Sequence, residues 1–149
     1  MKTIFAIMLA ALLFSCTKTM TDKTMKTFEL RLAETEPGSN LQEMIFESSG
    51  RKFFVHDSVY LTNADIRAAE VVEWRGRPNI KVMLNEEGRR KFADFTSSNV
   101  GKNAAMIVSG SLVSAPKINA QITKGVLIID GFFSRKEAQE IADEIQPFD

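Results

Sequence analysis

Ile80-Lys81-Val82-Met83-Leu84-Asn85-Glu86-Glu87-Gly88-Arg89-Arg90-Lys91-Phe92 changes its hydrophobic period from that of a strand to that of a helix at one residue, Asn85. Ile80, Val82 and Leu84 alternate with Lys81 and Met83, the pattern of a strand with one face turned inward. Asn85 suits an N-cap, because its side-chain oxygen can accept from an amide of the first turn. Glu86 and Glu87 then place carboxylates at the positive end of the helix dipole. Gly88, Phe92 and Phe95 share one face, while Glu86 with Arg90 and Glu87 with Lys91 stand four apart as ion pairs on the other. A glycine inside a helix costs about 1 kcal/mol relative to alanine, so Gly88 predicts close approach of the helix to the sheet.

Upstream, Ile66 to Trp74 is strand-like and Arg75-Gly76-Arg77-Pro78 is a turn, so the opening strand returns from a hairpin. Thr62-Asn63-Ala64-Asp65 reads as one helical turn capped by Thr62. Met44 to Phe46 and Lys52 to Tyr60 flank Ser48-Ser49-Gly50 as a hairpin or an irregular pair. Phe28, Leu30 and Leu32 alternate with Glu29 and Arg31, and Pro37-Gly38-Ser39-Asn40 breaks the chain after them.

Downstream, Gly101 closes the helix. Ala104 to Val108 and Val126 to Ile129 are continuous apolar runs, the composition of central strands covered on both sides. Between them Ser109-Gly110-Ser111 is a turn, Leu112 to Pro116 is irregular, and Ile118 to Ile122 alternates. Ser134-Arg135-Lys136-Glu137 is a capping box, followed by an inward stripe of Ala138, Ile141, Ala142 and Ile145 that Pro147 stops. The expected class is α+β: one mostly antiparallel sheet with two main helices packed on one face.

The chain begins differently. Lys2 precedes a wholly apolar run, Ile4 to Phe14, which is shorter than the roughly 20 residues a spanning helix needs. Leu13-Phe14-Ser15-Cys16 ends it with the only cysteine, and that tetrapeptide resembles a bacterial lipobox. The resemblance implies removal of residues 1–15 as a lipoprotein signal peptide and attachment of lipid at Cys16. Each buried methylene contributes about 0.8 kcal/mol, so two or three acyl chains hold a protein at a membrane durably. Residues 16–27 read as the lipidated N-terminus and a polar tether, and 28–149 as a single domain. At about 3.3 Å per extended residue the tether keeps that domain within a few tens of ångströms of the bilayer. Thr17, rather than an acidic residue, follows Cys16; similarity to lipoprotein sorting in enteric bacteria then implies an outer-membrane anchor facing the periplasm.

Composition excludes several classes of function. Nineteen basic side chains balance nineteen acidic ones, and losing Met1 to Ser15 removes only Lys2. Such a balance offers no electrostatic case for nucleic acid. With Cys16 lipidated, no thiol remains for redox chemistry or a thiolate metal site. His56-Asp57-Ser58 has the residue types of a catalytic triad, but neighbours on an extended segment point to opposite faces and cannot relay a proton. One histidine is also too few for an ordinary zinc site. Glu86-Glu87 and Asp143-Glu144 read as solvated ion-pair partners, and Asp130-Gly131 as a turn. Arg75, Arg77 and Arg89-Arg90-Lys91 read as a charged turn and the outer face of a helix. Trp74 fits either a rim position or a cap on the core. No phosphate loop, cofactor fingerprint or nucleophile elbow is present, so a non-enzyme without a small-molecule cofactor or metal is expected.

A set of ordered segments carries a resemblance. They are Val59-Tyr60-Leu61-Thr62-Asn63-Ala64-Asp65-Ile66 and Leu84-Asn85-Glu86-Glu87-Gly88-Arg89-Arg90-Lys91-Phe92. Thr96 with Asn99-Val100-Gly101-Lys102, Ser114-Ala115-Pro116, Ile122-Thr123-Lys124-Gly125, and Gly131-Phe132-Phe133-Ser134 leading to Glu137-Ala138 follow. In this order and spacing, from Phe28 to Ile145, they resemble the head subdomain of the first periplasmic loop of SecD, the membrane partner of the bacterial Sec translocon. The resemblance implies contact with unfolded, exported polypeptide. The family's proton-coupled pulling belongs to its membrane part, which these segments do not match.

Leu112, Val113, Ser114, Ala115 and Pro116 are the expected polypeptide-binding loop, because an apolar non-helical loop can hold an extended peptide; the structural alternative for the same stretch is a hairpin tip folding back over the sheet. The expected function is thus a lipid-anchored envelope module that binds polypeptide and assists export or an envelope complex. The alternative is a stress or immunity-type lipoprotein that blocks one specific partner.

Overall fold

The structure is a computed structural model and describes residues 26–147. The expected signal peptide, Cys16 and all but the last two residues of the expected tether lie outside the described residues.

Among the described residues eight strands and two helices follow one another as β1 (Phe28–Glu34), β2 (Gln42–Phe46), β3 (Arg51–Thr62), β4 (Ile66–Trp74), β5 (Arg77–Leu84), α1 (Glu86–Ser98), β6 (Asn103–Val108), β7 (Ser111–Ser114), β8 (Val126–Ile129) and α2 (Arg135–Ile145). The α+β class and the antiparallel pairing are as expected. The strands, however, divide into two sheets instead of one, with orders β2-β3-β1-β6-β7 and β4-β5-β8. The division falls at Thr62, whose hydroxyl caps a 3-10 turn over Asn63–Asp65. That turn redirects the chain: β3 pairs with β1 up to Thr62, and from Ile66 the chain pairs with β5.

Strand alternation sorts side chains between two cores. Phe28, Leu30 and Leu32 of β1 and Ala104, Met106 and Val108 of β6 enter the main core. There they meet Ile80, Val82 and Leu84 of β5, Leu127 and Ile129 of β8, and the inward stripes of both helices. The intervening residues Ala33, Ala105 and Ile107 enter a second, smaller core with Phe53, Val55 and Leu112. Strand β6 is therefore buried on both faces, which accounts for its unbroken apolar run. The similar run in β8 has another cause. It forms an edge, not a central strand, with Leu127 and Ile129 buried and Val126 and Ile128 half-buried. The outer strands β2 and β7 approach each other over the second core. Ile118 to Ile122, expected to alternate, forms no strand; an isolated bridge between Lys117 and Asn103 falls just before it.

Local signals acted much as predicted. The β4–β5 connection is a two-residue turn, Arg75-Gly76, with φ of 53° and 74°, the geometry whose twist suits a hairpin. Arg77 and Pro78 belong to β5. Pro78 is tolerated there because β8 stops pairing at Ile129, opposite Ile80, so no ladder bond is lost. Asn85 caps α1, its Oδ1 accepting the Gly88 N–H at 2.9 Å, and its Nδ2 donates to Ala64 O at 2.8 Å. A Cβ on Gly88 would lie 2.5 Å from Asp65 O, so the close approach is to the 3-10 turn before β4. The helix ion pairs form three apart, Glu86 with Arg89 and Glu87 with Arg90, not four apart. Lys91 is thereby released to reach Asp65.

Candidate polypeptide-binding cleft

The segment Leu112 to Pro116 is not an irregular exposed loop. Ser111–Ser114 is edge strand β7, paired with β6 through Val108↔Ser111, Ile107↔Leu112 and Met106↔Ser114. Val113 is the extra residue of a bulge between the last two pairs, a device that twists an edge away from further pairing. Leu112 and Ser114 are buried, Val113 and Ala115 half-buried, and Pro116 exposed. The stretch is instead a hairpin arm folded back over the sheet: Leu112 packs inward on Ile107, while Asn103 Nδ2 donates to Ala115 O at 2.8 Å and ties the exit back to β6.

What remains open is a cleft of about 470 Å³ along β7. Leu112 and Val113 line it together with Phe46 at the end of β2 and Phe132, Phe133 and Ile141 on the opposite side. Its rim carries Lys26, Glu137 and Glu140. The Glu137 carboxyl is held below the ordinary range by the Ser134 N–H and then the Ser134 hydroxyl of its capping box, so the rim keeps this charge at neutral pH. Phe132 is 65% exposed, and the Arg77 guanidinium sits 4.5 Å from its ring centroid. Gly131 makes this arrangement possible: a Cβ there would lie 2.3 Å from the Phe133 ring, which packs over the bare backbone.

Phe46, Phe132 and Phe133 were not identified as cleft residues from sequence. Two adjacent phenylalanines just before a helix cap carried the available signal. Phe133 holds the position of a hydrophobic staple and turns to the main core, leaving Phe132 to face solvent. Trp74, at 55% exposed, is a rim aromatic at the β4–β5 turn and not a core cap.

Acid–base candidates are engaged elsewhere. His56-Asp57-Ser58 falls where β3 carries extra residues opposite the step from Arg31 to Ala33. His56 Nε2 lies 3.3 Å from Glu34 Oε1, on the neighbouring strand. Lys102 stands 2.8 Å from the same oxygen, and its hydrogen bond is the main reason the Glu34 carboxyl sits below the usual carboxylate range. Glu144 pairs with Lys26 at 2.9 Å, and Asp143 accepts from Gln139. Among the described residues no group of three or more His, Asp or Glu is gathered as a metal site. No helix among them is long and apolar enough to cross a membrane.

Two antiparallel sheets packed with two helices, with a cleft beside a bulged edge strand, define an α+β domain. The family model for the SecDF P1 head subdomain matches residues 39–146, and the chain belongs to that family. It is 41% identical over 83 residues to the protein translocase subunit SecD of Dictyoglomus turgidum, covering 55% of this chain and 21% of that protein. It is 40% identical over 83 residues to the protein translocase subunit SecDF of Thermus thermophilus, covering 55% of this chain and 11% of that protein. A solved structure of a SecDF membrane component that enhances protein export superposes with a TM-score of 0.68 at 24% identity, over 83% of this chain and 63% of that one. SecDF in a super-membrane-facing form also gives 0.68, at 25% identity, over 83% of this chain and 19% of that one. The likeness is to one subdomain of longer translocase proteins.

Proposed function

We propose that this protein is a non-enzymatic, periplasm-facing module of the cell envelope that contacts unfolded polypeptide in support of protein export, held at a membrane by lipid on Cys16. Membership of the SecDF P1 head family supports the export setting, since the relatives are translocase subunits. The observation that carries the binding role is the cleft beside β7, where a solvent-facing phenylalanine, Phe132, opposes a bulged strand edge. An exposed aromatic beside a groove bounded by a strand is suited to an extended chain, with the ring as anchor. The lipobox resemblance at Leu13-Phe14-Ser15-Cys16 supports the anchor, and Thr17 supports the outer membrane.

Titration with unfolded segments tests the binding role. Amide signals of Leu112 to Ala115 shift with several unrelated unfolded peptides and not with their folded parents; silence with all of them ends this reading. Crosslinking in intact cells separates it from the immunity-type alternative, which requires one stoichiometric partner in place of many exported chains. For the anchor, Cys16→Ala moves the protein from the detergent phase to the aqueous phase, and an unchanged partition refutes lipidation.

A further inference from the structure

Strand β8 ends the three-stranded sheet, and no strand pairs with its outer edge among the described residues. The Leu84 N–H donates to Gly125 O at 2.9 Å, which sets the phase of the ladder between β5 and β8. In that phase Leu127 and Ile129, opposite Val82 and Ile80, turn their peptide groups to β5. Val126 and Ile128 turn theirs outward, where no backbone partner meets them among the described residues. Natural edges are blunted by shortness, by a bulge, a charge or a proline, or by a covering loop. Val126-Leu127-Ile128-Ile129 is short but carries no bulge, charge or proline, and its register with β5 runs without a shift.

Beside this edge opens a cleft of about 440 Å³, inside the roughly 300–1,000 Å³ range of binding sites. Phe92, Met106 and Leu127 lie deep in it, and Ile118 and Ile122 form the facing wall. That wall is pinned: Ile118 N–H donates to Lys102 O at 2.8 Å, and Ile122 N–H donates to the Thr96 hydroxyl at 2.9 Å. The Thr96 hydroxyl in turn donates to Phe92 O at 2.8 Å. Among the described residues no acidic side chain lines the cleft, Lys117 is in its wall, and Lys124 stands just before β8.

We propose that β8 receives an extended polypeptide as an added strand. Its backbone bonds to Val126 and Ile128, and its alternate apolar side chains enter the cleft. The outward peptide groups call for a backbone partner in β conformation, the apolar lining for hydrophobic side chains every second residue, and the lysines for an acidic residue in the same segment. This inference rests on the polypeptide-binding reading above and adds a site separate from the β7 cleft.

Amide hydrogen exchange on the full chain tests it, with a capped peptide of alternating valine and threonine bearing one glutamate as the probe. Val126 and Ile128 exchange rapidly in the protein alone and at least about tenfold more slowly when the peptide saturates it. Ile128→Pro deletes one outward N–H while sparing the bonds to β5, and it weakens peptide affinity by about tenfold or more. Lys117→Glu, which leaves the strand untouched, also weakens it, and added salt reduces the difference. Peptide binding that leaves both amides in fast exchange overturns strand addition but leaves the β7 reading standing. Failure of any peptide to bind at either cleft overturns both. Protection that appears without peptide and rises with protein concentration identifies a second copy as the occupant and also overturns the proposal.

Discussion

Lys91 on α1 places its Nζ 2.8 Å from Oδ1 of Asp65, while Oδ2 of the same carboxylate accepts the Thr62 N–H at 2.9 Å. Asp65 is only 4% exposed, and a buried charge is tolerable when both oxygens are engaged. One side chain thus closes the capping box of the 3-10 turn and fastens α1 to it. That turn is where the chain leaves one sheet and enters the other. Asp65→Ala is expected to lower the unfolding free energy by about 1–3 kcal/mol, measured by urea denaturation. Lys91→Ala is expected to destabilise as well, because it leaves Oδ1 of the buried carboxylate without its cation.

Gly88→Ala tests the packing of the same corner. In an open helix this change stabilises, since alanine is the better helix former. Here the new methyl meets the Asp65 carbonyl at 2.5 Å and the Leu84 Cβ at 3.2 Å. A destabilisation of about 1–3 kcal/mol is expected in the same denaturation experiment. A variant as stable as its parent would remove the claim of close approach.

The Glu34 carboxyl, lowered first by its hydrogen bond from Lys102 and then by His56, gives a pH dependence of definite sign. A carboxyl whose folded pKa lies below its unfolded value contributes stability above the unfolded value of about 4.3, and that contribution fades as pH falls through the folded one. The site is partly solvated, so the contribution is a few tenths of a kcal/mol. Lys102→Met is therefore expected to be slightly less stable than the parent at neutral pH. The gap should close as the solution becomes acidic enough to protonate Glu34, as thermal unfolding across pH will show.

Phe132→Ala separates recognition from folding. The ring is mostly exposed and its contact is with Arg77, so the stability change should stay below about 1 kcal/mol. If the β7 cleft grips polypeptide through this anchor, affinity for an unfolded peptide falls about tenfold, as for an interfacial aromatic hot spot. Calorimetric titration beside a melting curve reads both quantities. An unchanged affinity would locate the contact away from Phe132.

The hairpin at Arg75-Gly76, the caps Thr62, Asn85 and Ser134, and the stripe Ala138, Ile141, Ala142 and Ile145 were legible in the chain. Each depends on residues within about one helical turn or one strand pair of one another. The family was legible as well, because it is written in an order of such short segments. The candidate cleft was legible only in part. Leu112 and Val113 do line it, but Phe46, Phe132 and Ile141 come from distant positions that no local pattern connects.

Amino-acid order alone determined both helices and most strands, since period, cap and turn act over a few bonds; β7 and the stretch Ile118 to Ile122 were the exceptions. The tertiary structure decided how those strands were shared between two sheets, and that choice depends on pairings between residues far apart in the chain. Two continuous apolar runs make the point. The one in β6 is covered on both faces, whereas the one in β8 keeps an open edge, because only assembly determines whether a neighbouring strand arrives.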